Sequence, residues 1–298
     1  MDSNPSEVYD LLILVDATYS MASYLNSLQK SLPQIISIST LTDCFSRIGL
    51  LAYRDYGDDD LLDWSGWLSA SFFSDEPMVD LIEKAKRLRP MGGGDLAEAT
   101  KTGLARAYEL MRKDATTIIL LYTDAPPHTA SNGSMTDPSS SNLGAEQRAL
   151  TEKTAYGGFG ENFADWVSAS KWLSGRSGDK KSQVFCILEP NLHFNYAAYY
   201  NYLSATTGGT CLYLADSKPA SISKVTVELL LAWMGAQKAG VRADEDFPGF
   251  LSRYVSIDNI EKLTTENDAA AGPFFLASSS GSSSWNDGVG NVAKVCNS

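Results

Sequence analysis

The sequence predicts an α/β fold, a doubly wound, mostly parallel central sheet flanked by helices on both faces. Three observations predict it. Short apolar, β-branched-rich runs alternate with longer segments whose apolar residues recur at helical spacing. The run Leu11-Leu12-Ile13-Leu14-Val15 is apolar without alternation, as in a strand buried on both faces. Directly after it, Asp16-Ala17-Thr18-Tyr19-Ser20 gathers polar oxygens at a strand's C-terminal end, where open α/β sheets place their ligand sites.

Taken in order, strands are expected at about 9–15, 46–53, 116–122, 183–188 and 210–214. The fourth and fifth contain Val184-Phe185-Cys186-Ile187-Leu188 and Cys211-Leu212-Tyr213-Leu214. Helices are expected at about 20–39, 77–88, 95–112, 162–174, 194–206 and 219–236. Loop signals stand at Gly57-Asp58-Asp59-Asp60, through 126–145 and at Gly157-Gly158-Phe159-Gly160. The aspartate run reads as a solvated loop, and Asp63-Trp64-Ser65-Gly66-Trp67 as a turn with one tryptophan buried. The tyrosine-rich stretch Tyr196 to Tyr202 reads as core packing.

Residues 1–240 read as the folded unit. After that the chain changes character, with Pro248, Pro273, a short apolar piece Phe274-Phe275-Leu276 and the Ser278-to-Ser284 tract. Segment 241–298 is expected to be an extension or linker, partly low-complexity, within a larger protein.

The formal net charge is −12 over 298 residues. An acidic surface lacks the basic footprint that phosphate binding needs, which argues against nucleic acid as a partner. No apolar run approaches the ~20 residues of a membrane span, so no membrane insertion is expected. Met1-Asp2-Ser3-Asn4-Pro5 lacks the basic and apolar regions of a secretory signal. Of the cysteines Cys44, Cys186, Cys211 and Cys296, two fall in expected strands. Free thiols and a reducing, cytoplasmic compartment follow as the expectation.

Asp16, Thr18 and Ser20 make an oxygen-rich half-site for a hard cation. A second carboxylate, Asp124, follows strand 116–122, and a glycine turn, Gly92-Gly93-Gly94-Asp95, brings a third. In a parallel sheet these loops lie along one edge, so Asp16, Asp95 and Asp124 are expected to converge. Close carboxylates repel unless protonated or neutralised. Mg2+ takes oxygen ligands and keeps several waters, so few carboxylates suffice; Mn2+ or Ca2+ are the substitutes. Zinc is disfavoured, since His128 and His193 are the only histidines. Each piece alone has a local explanation: Ser20 as a helix N-cap, Asp95 with Glu98 as a capping-box pattern, and Asp124 before Pro126-Pro127 as a turn former.

The joint order of these motifs resembles the von Willebrand factor A-type domain, also known from integrin inserted domains. Its metal-ion-dependent adhesion site combines D-x-S-x-S after the first strand, a threonine in a second loop and an aspartate after a later strand. Asp16, Thr18 and Ser20 match the first element, with threonine for one serine, and Asp124 matches the third. Tyr53-Arg54-Asp55-Tyr56 and Thr207-Gly208-Gly209 add to the likeness, which covers about 8–240. Asp95 stands where the second-loop threonine is usual, similar to a branch of the family found in intracellular proteins. The resemblance implies a Rossmann-like fold and a protein-binding adhesion or scaffold module without catalysis of its own. It implies Mg2+ held by Asp16, Thr18, Ser20, Asp95 and Asp124. A protein partner is expected at the metal face, lined by Tyr19, Arg54, Asp55, Tyr56 and His128. The alternative is an Mg2+-dependent phosphatase-like hydrolase with Asp16 as nucleophile, although Thr18 stands where that chemistry wants a second aspartate.

Overall fold

The computed structural model describes residues 7–58, 60–69, 79–93, 96–128, 141–152, 155–189, 192, 194–214 and 216–238. Segment 241–298 lies outside these residues. The strands are β1 (Tyr9–Asp16), β2 (Arg47–Tyr53), β3 (Leu62–Ser69), β4 (Thr116–Thr123), β5 (Lys181–Leu188) and β6 (Cys211–Tyr213). The helices are α1 (Ala22–Thr42), α2 (Val79–Arg87), α3 (Thr100–Leu110), α4 (Ser141–Thr151), α5 (Trp166–Leu173), α6 (Phe194–Thr206) and α7 (Pro219–Lys238).

One sheet orders the strands β3-β2-β1-β4-β5-β6. All neighbouring pairs are parallel except β2 with β3. Asp10 through Asp16 are buried at every position, which requires cover on both faces of the sheet. One set of helices packs α1 against α7 and α2; the other joins α3, α4, α5 and α6. Full burial of each Leu, Ile or Val in β1 contributes roughly 1.5–3 kcal/mol relative to exposure. Two polar pairs bridge elements inside the core: Trp233 Nε1 donates to Gln183 Oε1 at 2.9 Å, and the Tyr122 and Thr226 hydroxyls lie 2.8 Å apart.

The strand order reverses direction between β1 and β4. That places the topological switch point, and the crevice in which such sheets bind ligands, at the C-terminal ends of these two strands. Their register pairs Val15 with Tyr122, so Asp16 and Asp124 leave the sheet side by side.

Three expectations need correction. The Trp64–Trp67 segment is not a turn but lies in β3, antiparallel to β2. A bulge between Gly49 and Leu51, with Gly66 at φ +84°, breaks the two-residue alternation. Both tryptophans therefore share a side, edge to face with centroids 5.3 Å apart. They fill the space over Gly49, where any side chain would collide with them, and Arg47 lies 4.0 Å over the Trp67 ring. The loop expected through 145 gives way to α4 at Ser141. The helix expected from 95 begins only at Thr100, because Glu98 runs alongside the β4 loop, its amide donating to the Pro126 carbonyl at 3.0 Å. Among the described residues Cys44, Cys186 and Cys211 are free thiols. Among the described residues no helix is long and apolar enough to cross a membrane.

Candidate metal centre

β1 delivers Asp16 to the sheet edge with no exposed surface. Its oxygens are held by neutral donors. The Thr18 amide and hydroxyl donate to Oδ1 at 3.0 and 2.7 Å, and the Thr123 hydroxyl donates to Oδ2 at 3.1 Å. The chain then turns through a single 3-10 turn, Tyr19–Met21, before α1. Ser20 caps neither helix start. Its hydroxyl lies 3.4 Å from that of Thr18 and donates to the half-buried Asp124 carboxylate. Asp16, Thr18, Ser20 and Asp124 are thus brought together.

The glycine loop closes on the same point. Met91 N donates to Ala17 O at 2.9 Å, and Ala17 N donates to Tyr53 O at 2.8 Å. Gly92 and Gly93 carry φ of +76° and +85°, open to glycine at little cost. At Gly93 a Cβ would stand 3.5 Å from Thr18 Cβ, so the loop backbone lies directly against the first motif. Asp58 Oδ2 ties this loop to the one after β2, accepting from Gly93 N at 3.3 Å and Asp55 N at 3.2 Å. Asp58 is therefore a structural tie rather than part of a purely solvated run. Gly94 and Asp95, the expected fifth ligand, lie outside the described residues.

The electrostatics of this point are unusual for the molecule. Asp10, at the other end of β1, is equally buried but meets Arg47 Nε at 2.8 Å and Arg112 through Nε at 3.0 Å and an Nη at 2.8 Å. Glu146 is buried against Lys101 Nζ at 3.1 Å. Asp16 and Asp124 have no basic partner among the described residues. Burial first, and the Asp124 charge second, push the Asp16 carboxyl up to about 7 in spite of its hydrogen bonds. Burial also raises Asp124, against the Ser20 hydroxyl that lowers it. Asp124 Oδ1 is shut away from solvent and no hydrogen-bond donor reaches it.

An orphaned carboxylate oxygen beside a buried carboxylate and two hydroxyls fits a hard, oxygen-seeking divalent cation. The donor set is all oxygen. Among the described residues no three His, Cys, Asp or Glu side chains gather as one group, so the cluster is two carboxylates completed by hydroxyls.

The expected partner-facing residues divide. Tyr19 is 70% exposed. The other four are corrected, for they are buried and serve the interior. Arg54 donates to the carbonyls of Asp60 at 2.8 Å and Arg89 at 3.3 Å, bracing the loop after β2. Asp55 Oδ1 lies 2.9 Å from His128 Nε2, linking the loops after β2 and β4. The Tyr56 hydroxyl bonds to Thr102, and Glu146 takes a further hydrogen bond from Tyr56. Lys101 also donates to Ala164 O at 2.8 Å. Sequence reasoning missed Lys101, Thr102 and Glu146. The signal was present for one of them: Lys101, Leu104, Ala105 and Tyr108 follow i, i+3, i+4, i+7 spacing, so the lysine stands in the apolar stripe of α3.

No family model matches the chain. Over 238 residues it is 34% identical to an ariadne-like RING finger protein of Acanthamoeba polyphaga mimivirus, a match covering 79% of this chain and 21% of that one. The chain thus spans about a fifth of the length of this curated relative. Among solved structures it is similar to a mutant of the PilB minor pilin from Streptococcus sanguinis. The TM-score is 0.51 at 12% identity, covering 80% of this chain and 64% of the pilin. It also aligns with the pilus adhesin SpaC from Lactobacillus rhamnosus GG, at TM-score 0.48 and 12% identity, covering 76% and 31% of the two chains. At that identity the pilin likeness speaks to the fold alone.

Proposed function

We propose that this chain carries a von Willebrand factor A-type domain that binds a protein partner through Mg2+, without catalysis of its own. The observation that carries the reading is the pairing of Asp16 and Asp124 at the β1/β4 switch point. Both are drawn out of bulk water, neither has a basic partner among the described residues, and one oxygen of Asp124 lacks a donor. Asp16, Thr18, Ser20 and Asp124 would hold the ion, with Asp95 joining from the glycine loop. The ion supplies a positive charge that an incoming oxygen completes; the chain's residues orient it and exclude water beneath it.

Phosphoryl transfer suits the geometry less well. A nucleophilic aspartate needs a free oxygen aimed outward, whereas both oxygens of Asp16 are engaged by Thr18 and Thr123 and the side chain has no exposed surface. A binding module also suits a match that occupies only 21% of the relative's length.

Thermal melting with Mg2+ and with chelator tests the reading. A ligand that binds only the folded state raises the melting temperature, by the equivalent of ~2.7 kcal/mol at a hundred times its Kd. An unchanged melting temperature at millimolar Mg2+ sinks the proposal.

A further inference from the structure

The metal face carries more apolar surface than a bare ion site needs. Six large apolar side chains are exposed among the described residues, and three of them, Tyr19, Met91 and Leu96, stand on the loops around this centre. Their exposures are 70%, 46% and 49%. Tyr19 lies between the two hydroxyl residues of the first motif. Met91 is fixed by its amide to Ala17 O, two residues before the Gly93 backbone that lies against Thr18. Leu96 precedes Glu98, whose amide is held by the loop that carries Asp124. Two backbone hydrogen bonds place Met91 and the Leu96 loop, and Tyr19 sits within the first motif itself, so each of three loop segments meeting at this centre carries one exposed apolar side chain. Scattered exposed apolar residues are ordinary; a group of them on loops of defined geometry marks an interaction site.

The charge of the face limits what that site accepts. Two carboxylates, Asp16 and Asp124, already cancel the charge of one divalent ion. Residues 16–21, 91–99 and 124–128 contain no lysine or arginine, and the chain as a whole carries −12. Arg54 on a neighbouring loop is buried and engaged with main-chain carbonyls, and the exposed Arg89, two residues before Met91, turns Nη1 to the Lys86 carbonyl at 2.7 Å. A partner carboxylate brought to this face would find the charge of the ion already balanced and the chain as a whole net negative.

Resting on the metal-site reading above, we infer that the face docks an apolar segment of a partner protein free of acidic residues. Its aromatic or aliphatic side chain packs on the rim of Tyr19, Met91 and Leu96, and an uncharged oxygen, carbonyl or carboxamide, meets the ion. Affinity then resides mainly in the rim, and the metal sets orientation.

The test selects binders from a displayed random-peptide library against the full chain, once with Mg2+ and once with chelator, beside a calorimetric Mg2+ titration. The expected result is Mg2+-dependent binders enriched in Trp, Phe, Leu or Tyr and depleted in Asp and Glu. Their affinity falls by about tenfold or more in Tyr19→Ser, Met91→Ser and Leu96→Ser combined, while the Mg2+ titration changes little. Should the combined variant lose its fold by circular dichroism, the single Met91→Ser and Leu96→Ser variants give the same reading, each with a partial loss. Binders enriched in Asp or Glu, binders that ignore the rim substitutions, or a library yielding no Mg2+-dependent binder overturn the inference. If the wild-type chain also fails to take up Mg2+, the metal reading falls with it; if Mg2+ binds normally, only the partner assignment is lost.

Discussion

Asp10 and Asp16 close the two ends of one buried strand, and they are treated oppositely: Asp10 is clasped by Arg47 and Arg112, Asp16 by hydroxyls and a backbone amide alone. The fold has the means to neutralise a buried carboxylate with guanidinium groups and uses it at one end. At the other end it sets a second carboxylate, Asp124, beside the first.

That contrast has a consequence for pH. The folded-state carboxyl of Asp16 is raised to about 7, above its unfolded value, so the folded state binds the proton more tightly. Stability in chelator is therefore greatest at low pH and falls as pH rises from about 4 to about 7, by on the order of 4 kcal/mol for this group. Asp124 and Glu146, also raised, act in the same direction. Urea melts across that window in chelator should show the fall, Asp124→Asn should reduce it, and saturating Mg2+ should flatten it, because the ion favours the ionised form.

The buried pair of Lys101 and Glu146 should respond asymmetrically. Lys101→Met leaves Glu146 without its lysine and is expected to cost about 3–5 kcal/mol, while Lys101→Met with Glu146→Leu recovers much of that. Denaturant midpoints of the two variants decide it; equal losses would show that the pair is held by something other than its mutual charge.

Gly92 at φ +76° faces Asp58, with no room for a side chain. Gly92→Ala should destabilise the chain by about 1–3 kcal/mol and weaken Mg2+ binding, since the loop it bends lies against Thr18. A variant whose urea midpoint and Mg2+ affinity both match wild type would show that the glycine loop does not shape the centre.

Much of this was legible in the residues. The unbroken apolar run of β1 and the oxygens after it declared both the buried strand and the centre, because a doubly covered strand needs no alternation and a ligand-bearing end needs polar atoms. β3 was hidden for a physical reason: its bulge places Trp64 and Trp67 on one side, which defeats a two-residue period. The burial of Arg54, Asp55, Tyr56 and His128 was equally out of view. A polar loop residue reads as solvated unless its partners are known, and these partners come from α3, α4 and the loops after α2, β2 and β4. Lys101 alone left a trace, in the stripe of α3.

The most direct measurement is a calorimetric Mg2+ titration of the full chain beside Asp16→Ala with Asp124→Ala. A metal centre at Asp16 and Asp124 requires one saturable site in the wild type, with proton release near neutral pH, and none in the folded double variant. Equal Mg2+ affinity in the two proteins would contradict it.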